Sequence, residues 1–137
     1  MNIFFTGAIT GGRAQQPKYA RIIQELEKYG TVFSKHVADE RLSQYGETSI
    51  SGKEILEREL DALGKCDIVV ADVTMSSLGA GYLIHSATSA GKRVIALYRG
   101  KDTLRLSGII KGDALVEVYV YESDDDIQKI LATIFIV

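Results

Sequence analysis

Apolar and polar residues follow one another along this chain in blocks that match short strands and amphipathic helices. Apolar runs of strand length predict five β-strands, at residues 2–6, 31–34, 67–71, 93–98 and 116–121. Apolar residues at helical spacing predict four helices, at residues 17–29, 53–63, 79–90 and 124–133. The polar segment 37–52 contains Gly and Ser and is a candidate lid.

The alternation of strands and helices decides the predicted fold class. Short connections between parallel strands require right-handed crossovers, which cover both faces of the sheet with helices. We therefore predict an α/β fold with a single doubly wound, flavodoxin- or Rossmann-like sheet of five parallel strands in the order 2-1-3-4-5. The first and third strands then flank the crevice where such sheets bind their ligands.

Length and composition favour one domain without a linker. The 137 residues are 46% hydrophobic, which is enough for a real core, and we expect a single domain over 1–137. The net charge of −2 comes from scattered residues and gives no basic stripe. We therefore expect no nucleic-acid polymer as a partner.

The single cysteine and the hydropathy of the chain indicate a compartment. Cys66 opens a predicted strand and cannot form an internal disulfide, which fits a reducing environment. No apolar run has the length of a transmembrane helix, and the apolar start lacks the basic residues of a signal peptide. We expect a soluble, cytoplasmic protein that binds no membrane.

Two loops rich in Gly and small polar residues follow neighbouring strands. The first, Gly7-Ala8-Ile9-Thr10-Gly11-Gly12-Arg13, offers backbone N–H groups and a guanidinium to an anion. Its spacing matches neither a P-loop nor a dinucleotide-binding motif, so by itself it is equally compatible with an ordinary turn. The second loop contains Ser76, Ser77, Gly79 and Gly81. Since both loops end at one crevice, we predict a pocket for a small anionic ligand.

Five segments in this order resemble the 2′-deoxynucleoside 5′-monophosphate N-hydrolases, a family within the nucleoside 2-deoxyribosyltransferase superfamily. They are GAITGGR at 7–13, Tyr19, HVADE at 36–40, DIVVADVT at 67–74 and SLGAGY at 77–82. The match is ordered and spans nearly the whole chain. The resemblance implies that the chain hydrolyses the N-glycosidic bond of small-molecule nucleotides, the 2′-deoxynucleoside 5′-monophosphates, or transfers their deoxyribosyl group. It implies no cofactor and no metal.

One position departs from the family where its chemistry takes place. In the family, a Glu after the S-L-G-x-G loop attacks the anomeric carbon and forms a glycosyl-enzyme that water hydrolyses. That position holds Leu83, which can neither form an ester nor stabilise an oxocarbenium ion. The nearest titratable side chain, His85, lies two positions on, so a local realignment does not supply the nucleophile.

Two other carboxylates are the candidate catalytic residues. Glu59 aligns with a second family carboxylate, which assists with the base or the sugar; otherwise it is a solvated helix charge like Glu57. Asp72 ends a buried strand and needs a partner, so it either binds sugar hydroxyls or caps the turn that follows. Without a covalent nucleophile, one of these carboxylates would activate water directly.

The resemblance also implies a set of substrate-binding residues. They are Gly7, Ala8, Ile9, Thr10, Gly11, Gly12, Arg13, Tyr19, His36, Ser77, Gly79, Gly81, Ser107, Gly108 and Ile109. The alternatives are a core aromatic for Tyr19 and a structural histidine for His36. Ala8 and Thr10 replace side chains with which the family commonly contacts phosphate, so we expect weaker or altered ligand binding.

The segment 106–112 resembles the family segment that reaches across a homodimer to complete the neighbouring phosphate site. The resemblance thus implies a homodimer in which Ser107 contacts the nucleotide of the partner subunit; an ordinary loop is the alternative. Three functions stay open. The chain is an active hydrolase or transferase, a disarmed nucleotide-binding protein in which Leu83 packs against the sugar or the base, or a protein for a different ligand such as a modified nucleotide.

Overall fold

A computed structural model describes residues 1–9 and 13–136, and its centre is one five-stranded parallel sheet. The strands are β1 Asn2–Thr6, β2 Thr31–Phe33, β3 Ile68–Asp72, β4 Arg93–Arg99 and β5 Val116–Tyr121. The helices are α1 Gln16–Leu26, α2 Gly52–Gly64, α3 Leu78–Ser89, α4 Gly108–Gly112 and α5 Asp124–Ile134. The strand order β2-β1-β3-β4-β5 confirms the predicted doubly wound α/β fold.

Two short elements were not predicted from the sequence. A single turn of 3₁₀ helix, Lys35–Ala38, follows β2, and α4 has only five residues. Elements of this length are too short to show a hydrophobic period. The end of α1 was also placed too late, because residues 27–29 form a turn in place of the predicted last helical residues.

Side-chain caps fix where four of the helices begin. At α4 the Ser107 hydroxyl accepts a hydrogen bond of 3.5 Å from the N–H of Ile110. Ser51 and Ser123 form capping boxes at the starts of α2 and α5. The Ser77 hydroxyl accepts a hydrogen bond of 3.1 Å from the N–H of Ala80 at the start of α3. Pro17 lies in the first turn of α1, where its missing N–H costs no helical hydrogen bond.

The sheet separates two apolar layers. The first contains α1 and α5, which pack on strand residues such as Ile3 and Phe5. The second contains residues of α2 and α3, which pack on strand residues such as Phe4 and Val69. Successive strand side chains alternate between the two layers, as they do in any sheet covered on both faces.

The same topology gathers the loops that carry the candidate site residues. All five strands are parallel, so the segments that follow β1, β2, β3 and β4 leave the sheet at one edge. Among the described residues, no helix combines the length and apolar character needed to cross a membrane.

Candidate functional site

Glu59, on α2, lies at the centre of the strongest polar cluster at this edge. It is only 7% exposed. One of its carboxylate oxygens accepts a hydrogen bond from the Ser34 hydroxyl. The other accepts a hydrogen bond of 2.8 Å from Arg58 Nη2 and lies 3.0 Å from His36 Nε2. Two sequence-predicted site residues, Glu59 and His36, are therefore in direct contact.

These contacts keep Glu59 ionised despite its burial. Burial by itself raises the pKa of a carboxyl group, because it removes water from the charged form. For Glu59 the hydrogen bonds from His36, Ser34 and Arg58 outweigh that effect and lower the pKa to about 2. The side chain is therefore a fixed negative charge at neutral pH.

An unusual backbone conformation places one of these donors. Ser34 has φ of 64°, the left-handed region that residues with a Cβ seldom adopt. Such conformations cost about 1–3 kcal/mol and persist where surrounding contacts hold them. Here the strained residue links the end of β2 to the 3₁₀ turn and aims its hydroxyl at Glu59.

A second carboxylate, Glu47, joins the cluster from the candidate lid. Both Glu47 oxygens accept hydrogen bonds from Arg58, at 2.7 and 2.5 Å, in a bidentate ion pair. This ion pair lowers the pKa of Glu47. The segment between β2 and α2 is thereby tied to α2 beside Glu59. Sequence reasoning missed both Glu47 and Arg58, and no spacing motif marks either residue.

The His36 ring makes contacts that depend on its protonation. Its Nε2 lies 3.0 Å from a Glu59 oxygen, 3.4 Å from a Glu47 oxygen and 3.2 Å from Arg58 Nη2. A protonated Nε2 donates to a carboxylate, whereas a bare Nε2 accepts from the guanidinium, and the two states exclude each other. One nitrogen of the His36 ring therefore contacts both carboxylates and the Arg58 guanidinium.

The same residues include a set of metal-ligand atoms. His36, Glu47 and Glu59 each offer one such atom, and these atoms lie within 4.8 Å of one another. The Arg58 guanidinium already contacts both carboxylates and the imidazole. A divalent cation would have to displace this guanidinium, so the positive charge of Arg58 occupies the place that a metal would take.

Tyr19 supports the first Gly-rich loop from within the core. Its side chain is fully buried, and its hydroxyl accepts a hydrogen bond of 2.9 Å from the Ala8 N–H. Burial raises the pKa of this phenol. A Cβ on Gly7 would lie 2.7 Å from the Tyr19 ring, so only glycine fits there without a shift. The Ala8 N–H, predicted to face phosphate, is thus already paired.

The rest of this loop is described only in part. Arg13 donates to the backbone carbonyls of Asp39 at 2.9 Å and Ala8 at 3.5 Å, which joins the loop to the candidate lid. Ile9 is partly buried against the first apolar layer. The predicted ligand contacts of Thr10, Gly11 and Gly12 lie outside the described residues.

Asp72 lies in a separate, fully buried polar network. It accepts hydrogen bonds from the Tyr121 hydroxyl at 2.6 Å, the Thr74 N–H at 3.0 Å and the Gln15 amide at 3.4 Å. Burial raises its pKa. These contacts join the ends of β3 and β5 to the start of α1 and favour the structural interpretation of Asp72 over the catalytic one.

Leu83 packs in the second apolar layer. It is 9% exposed and belongs to the cluster that includes Phe4, Ala71 and Ile84. The position to which the resemblance assigns the family nucleophile therefore holds a side chain that is part of the core. A carboxylate at this position would have to displace apolar contacts between α3 and the sheet.

Ser77 and Ser107 line a cavity of about 540 Å³ between α3 and α4. Other predicted site residues on its wall are Gly81 and Ile109, whereas Gly79 and Gly108 are not part of the wall. The Ile109 side chain is 85% exposed and the neighbouring Leu78 side chain 97%. This cavity therefore combines hydroxyl groups with unusually exposed apolar side chains, and we refer to it as the serine cavity.

The candidate residues thus form three groups and one outlier. His36 Nε2 lies 3.0 Å from Glu59, Tyr19 bonds to Ala8 beside Gly7, and Ser77 and Ser107 line the serine cavity. In the described parts of the chain, no hydrogen bond joins the two candidate catalytic carboxylates. Asp72 is the outlier because its partners belong to a different network.

Comparison with known proteins identifies relatives of the whole chain. No protein-family model matches it. The chain is 37% identical over 138 residues to the 5-hydroxymethyl-dUMP N-hydrolase of Danio rerio, covering 98% of this chain and 96% of that protein. It is 41% identical over 114 residues to the 5-hydroxymethyl-dUMP N-hydrolase of Rattus norvegicus, covering 82% of this chain and 70% of that protein.

A solved structure shares the fold at lower sequence identity. The CMP N-glycosidase of Clostridium botulinum aligns with a TM-score of 0.66 and 19% identity, covering 98% of this chain and 99% of that one. This likeness supports the sheet topology described above and gives no information about the residues of the site.

Proposed function

Because this chain belongs to the 2′-deoxynucleoside 5′-monophosphate N-hydrolase family, we propose that it cleaves the N-glycosidic bond of 2′-deoxynucleoside 5′-monophosphates. The products are the free base and 2-deoxyribose 5-phosphate. The observation that carries this proposal is the nearly buried, ionised Glu59, one of whose oxygens lies 3.0 Å from His36 Nε2. A fixed negative charge beside a titratable imidazole suits a reaction whose transition state carries positive charge on the sugar.

The reaction proposed is a single displacement by water. The water oxygen bonds to C1′ as the C1′–N bond breaks, and the electron pair of that bond leaves with the base nitrogen. His36 accepts the proton that the water loses, and the departing base, on the opposite face of the sugar, takes up a proton from solvent. Leu83 cannot form the covalent intermediate of a double displacement, so no glycosyl-enzyme is included in this route.

The low pKa of Glu59 excludes this residue as the group that takes the proton from water. A carboxylate with a pKa of about 2 is a weak proton acceptor at neutral pH. Glu59 therefore acts through its charge, which stabilises the oxocarbenium-like sugar, and through its hold on the His36 ring. This replaces the direct activation of water by Glu59 that the sequence suggested.

Release of free base from the four 2′-deoxynucleoside 5′-monophosphates, followed by chromatography, tests this proposal. We expect Glu59→Gln to lower kcat by about 100-fold or more, because it removes the charge that faces the transition state. Glu57→Gln is the matched control, since Glu57 is exposed on the same helix and, among the residues that the structure describes, forms an ion pair only with Lys53. Equal turnover by the two variants would contradict the assignment of Glu59.

A second candidate function follows from Leu83. A leucine packed in the core at the position of the family nucleophile favours a disarmed protein that binds nucleotides without cleaving them. The two functions differ in base release by the wild-type protein. They also differ in the expected effect of Leu83→Glu. Only if the wild-type protein is disarmed does this variant release base where the wild-type protein releases none. Leu83→Gln is the control for shape without charge.

We further propose a homodimer in which Ser107 completes the phosphate site of the partner subunit. The exposed apolar side chains of Leu78, Tyr82 and Ile109 support an interface at this face, because monomers seldom expose such side chains together. Subunit mixing tests the arrangement. If Ser107 acts across the dimer, inactive Ser107→Ala and Glu59→Gln chains regain activity when mixed, since one mixed site is then intact.

In this proposal the substrate phosphate contacts the Gly-rich loop and Ser77 of one subunit and Ser107 of the other. Ser77 already caps α3, and its hydroxyl can still donate to a phosphate oxygen.

The cytoplasm is the compartment we propose, because Cys66 is a free thiol. Burial raises the pKa of this thiol to about 11, which leaves it unreactive at neutral pH.

A further inference from the structure

Ser34 differs from the other serines that immediately precede a helix in this chain. Four others occupy such a position, and they are Ser51, Ser77, Ser107 and Ser123. The hydroxyl of each one accepts a hydrogen bond from a backbone N–H in the first turn of its helix. Ser34 precedes the 3₁₀ turn Lys35–Ala38, but its side chain caps no N–H of that turn. Its hydroxyl donates to a carboxylate oxygen of Glu59 instead.

The backbone of Ser34 is also unlike that of the four capping serines. Each of those has a negative φ, whereas Ser34 has φ of 64°. Within residues 1–9 and 13–136, Ser34 is the only residue other than glycine with a positive φ. A serine before a helix can adopt extended backbone and cap the helix without strain. At this position the chain therefore lacks an ordinary cap and keeps a conformation that costs free energy.

This conformation directs two side chains to one carboxylate. The Ser34 hydroxyl donates to one Glu59 oxygen, and the turn that begins after Ser34 brings His36 Nε2 to 3.0 Å from the other oxygen. Both contacts come from the segment that follows β2, whereas Glu59 lies on α2, 25 residues from Ser34. The carboxylate is thus held between two elements that are distant in sequence.

Arg58 also donates to Glu59, but it is a less rigid support. Its side chain is 40% exposed, and its guanidinium is shared between Glu59 and Glu47. A long side chain of this kind has many rotamers and can follow either carboxylate. The position of a serine hydroxyl depends on a single χ angle, so a fixed backbone leaves it few alternatives. Ser34 is therefore the donor that sets the orientation of the Glu59 carboxylate.

Resting on the proposed nucleotide function, we propose that Ser34 is a positioning residue, which holds the Glu59 carboxylate so that its charge faces the sugar in the transition state. Ser34 acts only through Glu59 and does not contact the substrate. Without its hydroxyl, the carboxylate is free to turn towards the Arg58 guanidinium. Electrostatic stabilisation of a transition state depends on charges that are oriented before the reaction begins. A strained residue at such a site is explained by the orientation that it enforces.

Base release from 2′-deoxynucleoside 5′-monophosphates by Ser34→Gly and Ser34→Ala tests this inference. Both variants lack the hydroxyl, but only glycine adopts φ of 64° without strain, so Ser34→Gly should be the more stable in urea unfolding. We expect kcat to fall about tenfold in both variants, with little change in KM, because a hydrogen bond to a charged group corresponds to about that factor. A merely structural serine would give the larger loss of kcat in the less stable Ser34→Ala.

Ser123→Ala is the matched control for the loss of a serine hydroxyl before a helix. It removes the cap of α5, which packs in the other apolar layer from Glu59 and α2, so the urea midpoint should fall while kcat stays unchanged. An unchanged kcat in both Ser34 variants would overturn the inference. A loss of kcat in Ser34→Ala alone would also overturn it, since strain and not the missing hydroxyl would then be the cause.

Crystal structures of the wild-type protein and of Ser34→Gly separate this inference from the proposed function. In the variant we expect the Glu59 oxygen that lies 3.0 Å from His36 Nε2 to move beyond hydrogen-bond distance. If the wild-type protein releases no base, the proposed function fails, and the position of Glu59 in the two structures decides whether Ser34 orients it. A Glu59 carboxylate that keeps its place in Ser34→Gly overturns the inference at any level of activity.

Discussion

Replacement of Glu59 by glutamine should lower stability in a way that depends on pH. The pKa of Glu59 is about 2 in the folded protein, against an ordinary value of 4.5. Since one pKa unit corresponds to about 1.4 kcal/mol, the native contacts of the ionised carboxylate contribute about 3 kcal/mol to the free energy of unfolding. The side chain is nearly buried, so solvent screening removes little of this amount.

The sign of the pH dependence follows from the direction of the pKa shift. A carboxyl group with a lowered native pKa stabilises the folded state fully above its unfolded pKa of 4.5 and loses that effect as pH falls towards 2. Wild-type protein should therefore lose this contribution between pH 4.5 and 2. Glu59→Gln lacks the titrating group, so its stability should change less over the same range.

Urea unfolding followed by circular dichroism at pH 7 and pH 3 measures both effects. We expect Glu59→Gln to lose about 2–3 kcal/mol relative to wild type at pH 7 and much less at pH 3. Glu57→Gln is the control and should stay within about 0.5 kcal/mol of wild type at both values. A Glu59→Gln protein as stable as Glu57→Gln at pH 7 would show that the contacts of the ionised Glu59 do not stabilise the fold.

Four further substitutions test other contacts. Gly7→Ala brings a Cβ to 2.7 Å from the Tyr19 ring and should cost about 1–3 kcal/mol in urea unfolding; an unchanged midpoint would argue against this packing. Tyr121→Phe removes a hydrogen bond to buried Asp72 and should cost about 1–3 kcal/mol; no loss would mean that another donor replaces it. Arg58→Ala removes the bidentate partner of Glu47, and the candidate lid should exchange its amide hydrogens faster; unchanged exchange would contradict this role. Leu83→Glu buries a carboxylate in an apolar layer and should cost about 2–4 kcal/mol; full stability would show that the side chain escapes the core.

The fold followed from the sequence because its three central strands are buried on both faces. The run that precedes Asp72 is apolar throughout, and the helices between strands carry an apolar face, so the pattern identified the five strands and the four longer helices. The 3₁₀ turn after β2 and the five-residue α4 contain too few residues to show a period.

The candidate site could be predicted only in part. Glu59 and His36 were identified through the family resemblance, and the structure places them in contact. Their partners Ser34, Arg58 and Glu47 carry no motif, because contacts between segments distant in sequence depend on how β2, the candidate lid and α2 pack together. Polar residues of this kind are indistinguishable in sequence from solvated surface residues.

The proposed function requires turnover without a nucleophile at position 83. The most direct test is base release by the wild-type protein and by Leu83→Glu, measured side by side on the same 2′-deoxynucleoside 5′-monophosphates. We expect release by the wild-type protein, sustained over many turnovers and dependent on Glu59. An inactive wild-type protein together with an active Leu83→Glu variant would contradict this function and identify a nucleotide-binding protein that has lost its chemistry.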